Sequence, residues 1–579
     1  MKILRAYIKE NIGILSLGAI FLTLNTFATL AIPFQISNII NLGIMKKDIN
    51  MVYSTSIKMV VILIIGTATG IIANHFVALF ATNFTKKNRK LLIRNIESLT
   101  VDQVSDLGVA SLVTRMSNDN NNAQRLIVAF FQMILPSPIM AIISIFMTVK
   151  LSPTLALIPL FTILIFALAI VLTLFKSLPY ILKIQKKLDR MTLVLRERFI
   201  GAKIIRAFDN SKKERDKFND IAQEYTDNYI IINKKFALLS PMAFALMSVV
   251  ITLIIFFGAM KVLNNTLEIG SITAIVEYSL TTIAALIMSS MVLVQMPKAV
   301  VSIERIEEIL NVTSEIKDKE GLKDNSYYED ILKQNPISLT FDNVCFRYKG
   351  AEKQILKNIS FSIKAGERFA IVGATGSGKS TIAKVLLRLN DIECGKILIN
   401  GVNTLDLPLN CLRNQISYTP QKAYIFSGKI KDNFRFTNKD MTDEEMIKIA
   451  KVAQSYDFID SLPDKFDSFV AQGGINFSGG QKQRLSIARA LSKEANIYLF
   501  DDSFSALDYA TDAKLRKELK TFLKDKITII IAQRLNTIAD ADKIIVLKDS
   551  EITGMGTHKE LLESNQEYIE LAKSQGILE

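Results

Sequence analysis

Apolar positions are spread unevenly along the chain. Before about residue 297 they gather into six long runs, at 12–34, 56–83, 127–149, 154–175, 237–260 and 271–296; beyond it they shorten to strand-like stretches separated by charged, helix-period segments. Roughly 20 residues of helix cross a hydrocarbon core of about 30 Å, so each run predicts a membrane-spanning helix. The first run follows Lys2 and Arg5, as the core of a signal peptide would. It is too long for one and no small-residue cleavage site follows, so a retained span is expected, with the amphipathic start over 1–10 lying along the inner surface.

Polar positions between the runs set the orientation. The segment 85–126 carries Lys86, Lys87, Arg89, Lys90, Arg94, Arg115 and Arg125, and 177–236 carries fourteen more Lys and Arg, whereas the alternate connections are short and nearly uncharged. Positive loops stay inside, which predicts cytoplasmic termini. Both segments are too long for simple connectors, and Leu188, Leu195, Phe199 and Ile205 recur at helical spacing. They read as cytoplasmic extensions of the spanning helices. Within the runs, Asn25, Asn74, His75, Gln132 and Gln295 fit hydrogen bonds to neighbouring helices. Glu277 is different: about two turns inside the outer end of the sixth run, an unpaired carboxylate costs several kcal/mol, so it is expected to face a wet cavity or a cation and is the candidate translocation-path residue.

Composition then divides the chain. With 579 residues, 49% of them hydrophobic, it exceeds one compact domain and is too apolar to be wholly soluble. We expect a membrane domain over 1–311, a polar linker over 312–335 and a soluble domain over 336–579. The formal charge of +14 does not point to nucleic acid, because the first half's Lys and Arg cluster between apolar runs. The three cysteines, Cys345, Cys394 and Cys411, form neither a CxxC nor a Cys/His cluster. Neither a disulfide framework nor a zinc site is indicated, and a reduced cytosolic domain is expected.

The soluble part carries the chemistry. A strand-like run at 337–341 opens it, and Arg368-Phe-Ala-Ile-Val then leads into Gly373-Ala-Thr375-Gly376-Ser377-Gly378-Lys379-Ser380-Thr381 and a helical pattern. This is a P-loop in its required setting of strand, glycine-rich turn and helix. Backbone N–H groups close on phosphates at the helix start, Lys379 neutralises β/γ charge and the Ser380 hydroxyl reaches Mg²⁺. The apolar strand ending at Asp501 and Asp502 places one carboxylate to hold Mg²⁺ and the next to orient water. Between these lies Phe477-Ser478-Gly479-Gly480-Gln481, opening a second helix with a phosphate-binding start. A head-to-tail dimer, in which this end caps ATP held by another subunit, accounts for it.

On these residues the chain resembles, over essentially its whole length, ATP-binding-cassette transporters of the exporter architecture. The order of P-loop, Gln421 in Tyr418-Thr-Pro-Gln421, signature 477–481, Asp501 and Ser505-Ala-Leu-Asp508 carries the resemblance. It implies an all-α six-helix transmembrane domain and an α/β P-loop (RecA-like) ATPase domain, with ATP and Mg²⁺ as cofactors. It further implies that Tyr348 stacks on adenine, that Gln421 touches Mg²⁺ and relays nucleotide state, and that Asp508 connects paired sites. Ser380, Gln421 and Asp501 would be the metal residues, and 115–122 and 206–218 resemble the family's coupling segments.

Two departures stand out. The family usually has Glu after the Mg²⁺ aspartate and His in the switch position, where this chain has Asp502 and Gln533. Aspartate retracts its carboxylate by roughly 1.5 Å, and a misplacement near 1 Å can lower a rate by about a hundredfold. Glutamine donates a hydrogen bond but carries no charge and accepts no proton as imidazole does. With the signature intact, the chain resembles the degenerate-site subunit of heterodimeric bacterial multidrug exporters. Its partners would be a competent second half-transporter, the lipid bilayer of a bacterial cytoplasmic membrane and a small amphipathic substrate. A metal-chelate importer, a peptide exporter and a regulatory or channel-like subunit are the alternatives on the same architecture; no peptidase segment precedes the first run, which lowers the expectation of a leader-cleaving peptide exporter.

Overall fold

The computed structural model describes residues 1–332 and 337–578. They form two units, Met1–Ser98 with Val104–Thr313, and Leu99–Gln103 with Ser314–Glu579. In the first unit each expected run largely coincides with one long apolar helical stretch: Ile12–Ile44, Ile49–Ser98, Val109–Leu151, Leu157–Tyr180, Ser211–Leu263 and Ile269–Leu293; the run 154–175 begins three residues ahead of its stretch and 271–296 ends three beyond its own.

The helices outlast the apolar runs. The second is 50 residues long, about 75 Å at 1.5 Å per residue and more than twice a hydrocarbon core. No Gly or Pro interrupts 84–98, so the basic stretch from Lys86 to Arg94 continues the same helix. Likewise the fourth and sixth helices run unbroken as Leu157–Ile200 and Ile269–Asn311. The long loops are therefore helix extensions, as their periodicity predicts.

Small residues bring the first two spans together. A Cβ on Gly66 would lie 3.0 Å from that of Ala28, and one on Gly18 3.5 Å from Val77. At this approach the Asn25 Nδ2 donates to the Gly66 carbonyl at 2.7 Å, and Gln132 donates to Asn74 at 2.9 Å. Both amides satisfy one another or a neighbouring backbone, as polar groups in lipid must. His75 meets Phe76 edge-on; the Gln295 side chain lies outside the described residues. The amphipathic start is a helix, Lys2–Glu10, whose Tyr7 packs on Phe80 and Phe84 with ring centroids 4.9 and 5.2 Å away. Segment 115–122 is held against the sixth helix by Arg115–Glu308 at 2.9 Å and by Ser302, which donates to Asp119 and accepts from Asn122.

The second unit has nine principal strands: β1 Ser338–Phe346, β2 Leu356–Lys364, β3 Arg368–Gly373, β4 Cys394–Ile399, β5 Ile416–Thr419, β6 Ile497–Asp501, β7 Ile527–Ile531, β8 Lys543–Lys548 and β9 Glu551–Gly556. The larger sheet runs β9-β8-β3-β7-β6-β5, parallel except where β9 turns back on β8. Its central strands are apolar without alternation because helices cover both faces; β6 and β7 are buried throughout. A smaller antiparallel sheet contains β2-β1-β4. This arrangement puts the C-terminal ends of β3, β6 and β7 side by side, the position at which open parallel sheets bind ligands.

Two expectations need revision. Part of the linker is a helix, Asn325–Leu332, whose Tyr328 and Leu332, one turn apart, enter the core formed by Leu339, Phe341 and their neighbours. The cysteines also differ from the all-reduced reading: antiparallel pairing sets Cys345 of β1 opposite Cys394 of β4, with Cα atoms 5.0 Å apart and the sulfurs joined in a disulfide. Their 49-residue separation hides a pairing that only strand register creates. Cys411 is buried and free.

Candidate active site

The P-loop links β3 to helix α1, Lys379–Leu386. Its glycines are there for close approach: a Cβ on Gly373 would fall 2.2 Å from the Leu547 carbonyl oxygen, and one on Gly378, at φ 100°, 2.6 Å from that of Ile355. No side chain caps α1, leaving its first N–H groups for a ligand. Thr375 and Gly376 are exposed at the tip. Ser377 Oγ is buried with no hydrogen-bond partner among the described residues, an orphan that a phosphate oxygen would satisfy. Lys379 is 8% exposed, and its ammonium donates to the carbonyls of Gly373 and Ala374, both at 2.8 Å. Burial lowers its pKa, while Asp502 and Asp501 oppose that shift.

Asp501, at the end of β6, is held from two sides. Ser380 Oγ donates to its Oδ1 at 2.9 Å and the Tyr418 hydroxyl to its Oδ2 at 3.3 Å. Burial nonetheless holds its carboxyl above the usual range. A carboxylate and a hydroxyl in contact at the edge of a phosphate loop form a donor set that suits Mg²⁺, so the residues present fit the ion.

Asp502 follows at φ 46°, a left-handed conformation that is disfavoured for residues other than glycine and concentrates at functional sites. Its Oδ2 accepts from Gln421 at 3.2 Å and from Gln533 at 3.3 Å. Gln421 and Gln533, the expected relay and switch residues, thus meet Asp502 at one oxygen atom. Tyr348 stands beside α1: its hydroxyl lies 3.3 Å from Thr381 Oγ1 and accepts from Lys384 at 3.1 Å.

The signature opens helix α2, Gly479–Leu491, behind a reciprocal cap: Ser478 N–H donates to Gln481 Oε1 at 2.9 Å and Gln481 N–H to Ser478 Oγ at 3.3 Å. Phe477 is buried beneath it. A Cβ on Gly479 would meet open space, whereas one on Gly480 would press on the Ala506 carbonyl at 3.3 Å. Asp508 caps helix α3, Tyr509–Phe522, by accepting from Thr511 N–H at 2.9 Å. Among the described residues no hydrogen bond joins 477–481 to the P-loop.

Two supports escape motif reading. Tyr418 sits within a recognised motif, yet its grip on Asp501 depends on β5 lying beside β6. Gln575 clasps the switch segment, donating to the Gln533 carbonyl and accepting from Leu535 N–H, both at 2.8 Å. No local pattern marks it.

Among the described residues of the membrane unit, two cavities bear on the polar positions. One of about 630 Å³ lies between the third and sixth helices and is lined by Asn121, Asn122, Arg125, Gln132 and Lys298 among others. The other, about 300 Å³, is shared by the first, second and sixth helices, with Asn25, Thr29, Thr67, Glu277 and Thr281 among its lining. Glu277 therefore faces a cavity, as its cost in lipid requires.

Comparison with known proteins agrees with this layout. The model of the ABC transporter transmembrane region matches residues 15–286, and the ABC transporter model matches residues 356–505. YfiB of Bacillus subtilis, an uncharacterized ABC transporter ATP-binding protein, is 32% identical over 94% of this chain and 93% of its own. A putative export ATP-binding/permease protein of Rickettsia bellii is 30% identical over 96% and 95%, and an ATP-dependent lipid A-core flippase of Mannheimia succiniciproducens 26% over 98% and 95%. In fold, the chain is similar to a bacterial Atm1-family ABC exporter with ATP bound, with a TM-score of 0.79 and 24% identity over 96% of this chain and 97% of that one.

Proposed function

We propose a function from one fixed premise: this chain belongs to the ABC transporter family. It is an ATPase coupled to transport, a multi-pass exporter half that must pair with a second half, either itself or another chain. Our reading goes further. The chain exports amphipathic compounds across a bacterial cytoplasmic membrane, with its termini and ATPase domain inside, and it does so in a heterodimer in which its own P-loop holds ATP and Mg²⁺ but turns over slowly.

The observation that carries the slow site is the pair of amides on Asp502 Oδ2. A water-orienting carboxylate needs a free lone pair directed at the attacking water and enough reach to place it. Here the shorter side chain has one oxygen, Oδ2, held by Gln421 and Gln533, which fixes its orientation at reduced reach, and neither amide replaces the charge or basicity of imidazole. The positive loops support the orientation, and export is supported by the similarity to the putative export protein of Rickettsia bellii and the lipid A-core flippase of Mannheimia succiniciproducens.

The test is to purify the chain from its native membrane and identify what comes with it. A different half-transporter carrying Glu and His at the matching positions is the expected companion. Full, substrate-stimulated turnover by a homodimer of this chain would overturn the asymmetric reading.

A further inference from the structure

We propose that the cavity around Glu277 binds an organic ammonium ion, so that the compound this transporter moves carries a protonated amine on an apolar body. The proposal rests on the export reading and names the substrate class for it.

The cavity's polar atoms are almost all acceptors. Thr29, Thr67 and Thr281 each donate their hydroxyl proton to a carbonyl one turn back, at 2.9, 2.8 and 2.8 Å. What they turn to the cavity is oxygen lone pairs. The Asn25 amide nitrogen is committed to the Gly66 carbonyl, and its Oδ1 accepts from no described residue. Glu277 has no ion-pair partner among the described residues, and no Lys, Arg or His lines the cavity. The rest of the lining is chiefly aliphatic. A carboxylate ringed by acceptors and then by apolar side chains is complementary to a cation that presents N–H donors from an apolar body.

Position distinguishes this cavity from the larger one. Arg125 lies just before the apolar run 127–149 and Lys298 just after 271–296, at the ends of spans, where positive residues serve topology. Glu277 lies roughly 12 Å along its helix from Ile269 and inside an apolar run. There a charge is retained only against a cost, which makes it the more informative group.

Three dansyl probes of similar size test the idea: dansylcadaverine with a primary ammonium, its trimethylammonium counterpart, and N-dansyl-6-aminohexanoate with a carboxylate. ATP-dependent uptake is measured in inside-out vesicles carrying the full-length chain with its copurified partner. The ammonium should be taken up about tenfold faster than the carboxylate, a ratio one charge-assisted contact can supply, and faster than the quaternary ion, which offers no N–H. Glu277→Gln should abolish that preference and Glu277→Asp should keep part of it. Equal uptake of the three probes, a carboxylate preference, or an ammonium preference intact in Glu277→Gln would overturn the proposal. If no probe is transported, the export reading fails, and dansylcadaverine binding to the purified complex decides the site by itself. Glu277-dependent binding sustains the site, and binding indifferent to Glu277→Gln removes it.

Discussion

The ATPase domain has two helix starts at the candidate phosphate-binding motifs, and they are finished differently. Before α1 stands Gly378 with no side-chain cap, so the N-terminal N–H groups are left for a ligand. Before α2 stands Ser478, locked with Gln481 in a reciprocal cap. That cap consumes the N–H groups of Ser478 and Gln481 and leaves free those of Gly479 and Gly480, together with the Ser478 hydroxyl proton. The second start is pre-organised by its cap, whereas the first leads to a corner in which Asp502 accepts from two amides. On the asymmetric reading proposed above, the signature face would complete a partner's site while this chain's own corner turns over slowly.

The comparison breaks most easily at the signature face. Gly480→Leu should lower steady-state turnover of the assembled complex by about a hundredfold or more, because backbone donors aimed at transferring phosphate supply most of the catalysis. The new side chain would also press on the Ala506 carbonyl. Asp502→Asn should change the same rate by less than about threefold if, as proposed, this chain's own site contributes little to turnover. Steady-state ATPase assays of both variants in the assembled complex make the check, and equal or reversed losses would remove the asymmetric reading.

Lys379→Ala sharpens the comparison from the other side. It deletes a buried ammonium from the phosphate loop, a charge-assisted contact worth about 1.5–3 kcal/mol, so ATP affinity at this site should fall roughly ten- to hundredfold. Turnover by the pair should persist. Photolabelling with an ATP analogue, quantified chain by chain, separates the two effects.

A smaller effect is expected from repair. Asp502→Glu with Gln533→His should raise single-turnover hydrolysis at this site by about tenfold, and either change alone much less, because residues acting on one atom are non-additive. The partner's catalytic glutamate is neutralised to keep background low. An unchanged rate, with an intact signature on the partner, would mean that the two residues do not cause the weakness.

How much of this was legible in sequence depended on the range of each interaction. P-loop, signature and aspartates are contiguous strings whose spacing dictates their own local geometry, and the structure brings Ser380 to Asp501 across 121 residues because β3 and β6 both flank β7. The helix extensions were legible too, since Leu188 and Leu195 keep helical period past the apolar run. Gln575 was not: it acts through backbone atoms of the switch segment, 42 residues away, and leaves no pattern. Cys345 and Cys394 meet only through strand register, and the short linker helix is announced by little more than Tyr328 and Leu332.

The smallest expected effect separates architecture from function at the signature. Thr442 and Glu445 form the same reciprocal cap as Ser478 and Gln481, with N–H to side-chain oxygen distances of 2.9 and 3.2 Å, on a helix outside both candidate phosphate faces. Losing such a cap costs about 1 kcal/mol, or roughly 2–4 °C in the melting temperature of a domain this size. Thr442→Ala should show that shift and little else. Ser478→Ala should show a similar shift, but with turnover of the complex reduced about tenfold or more, because the hydroxyl proton that its cap does not use is lost as well. Differential scanning fluorimetry and steady-state ATPase on the same preparations give both numbers. If the two variants lose stability alike and both keep their turnover, the serine is a cap and nothing more, and the signature face loses its claim to act on the partner's nucleotide.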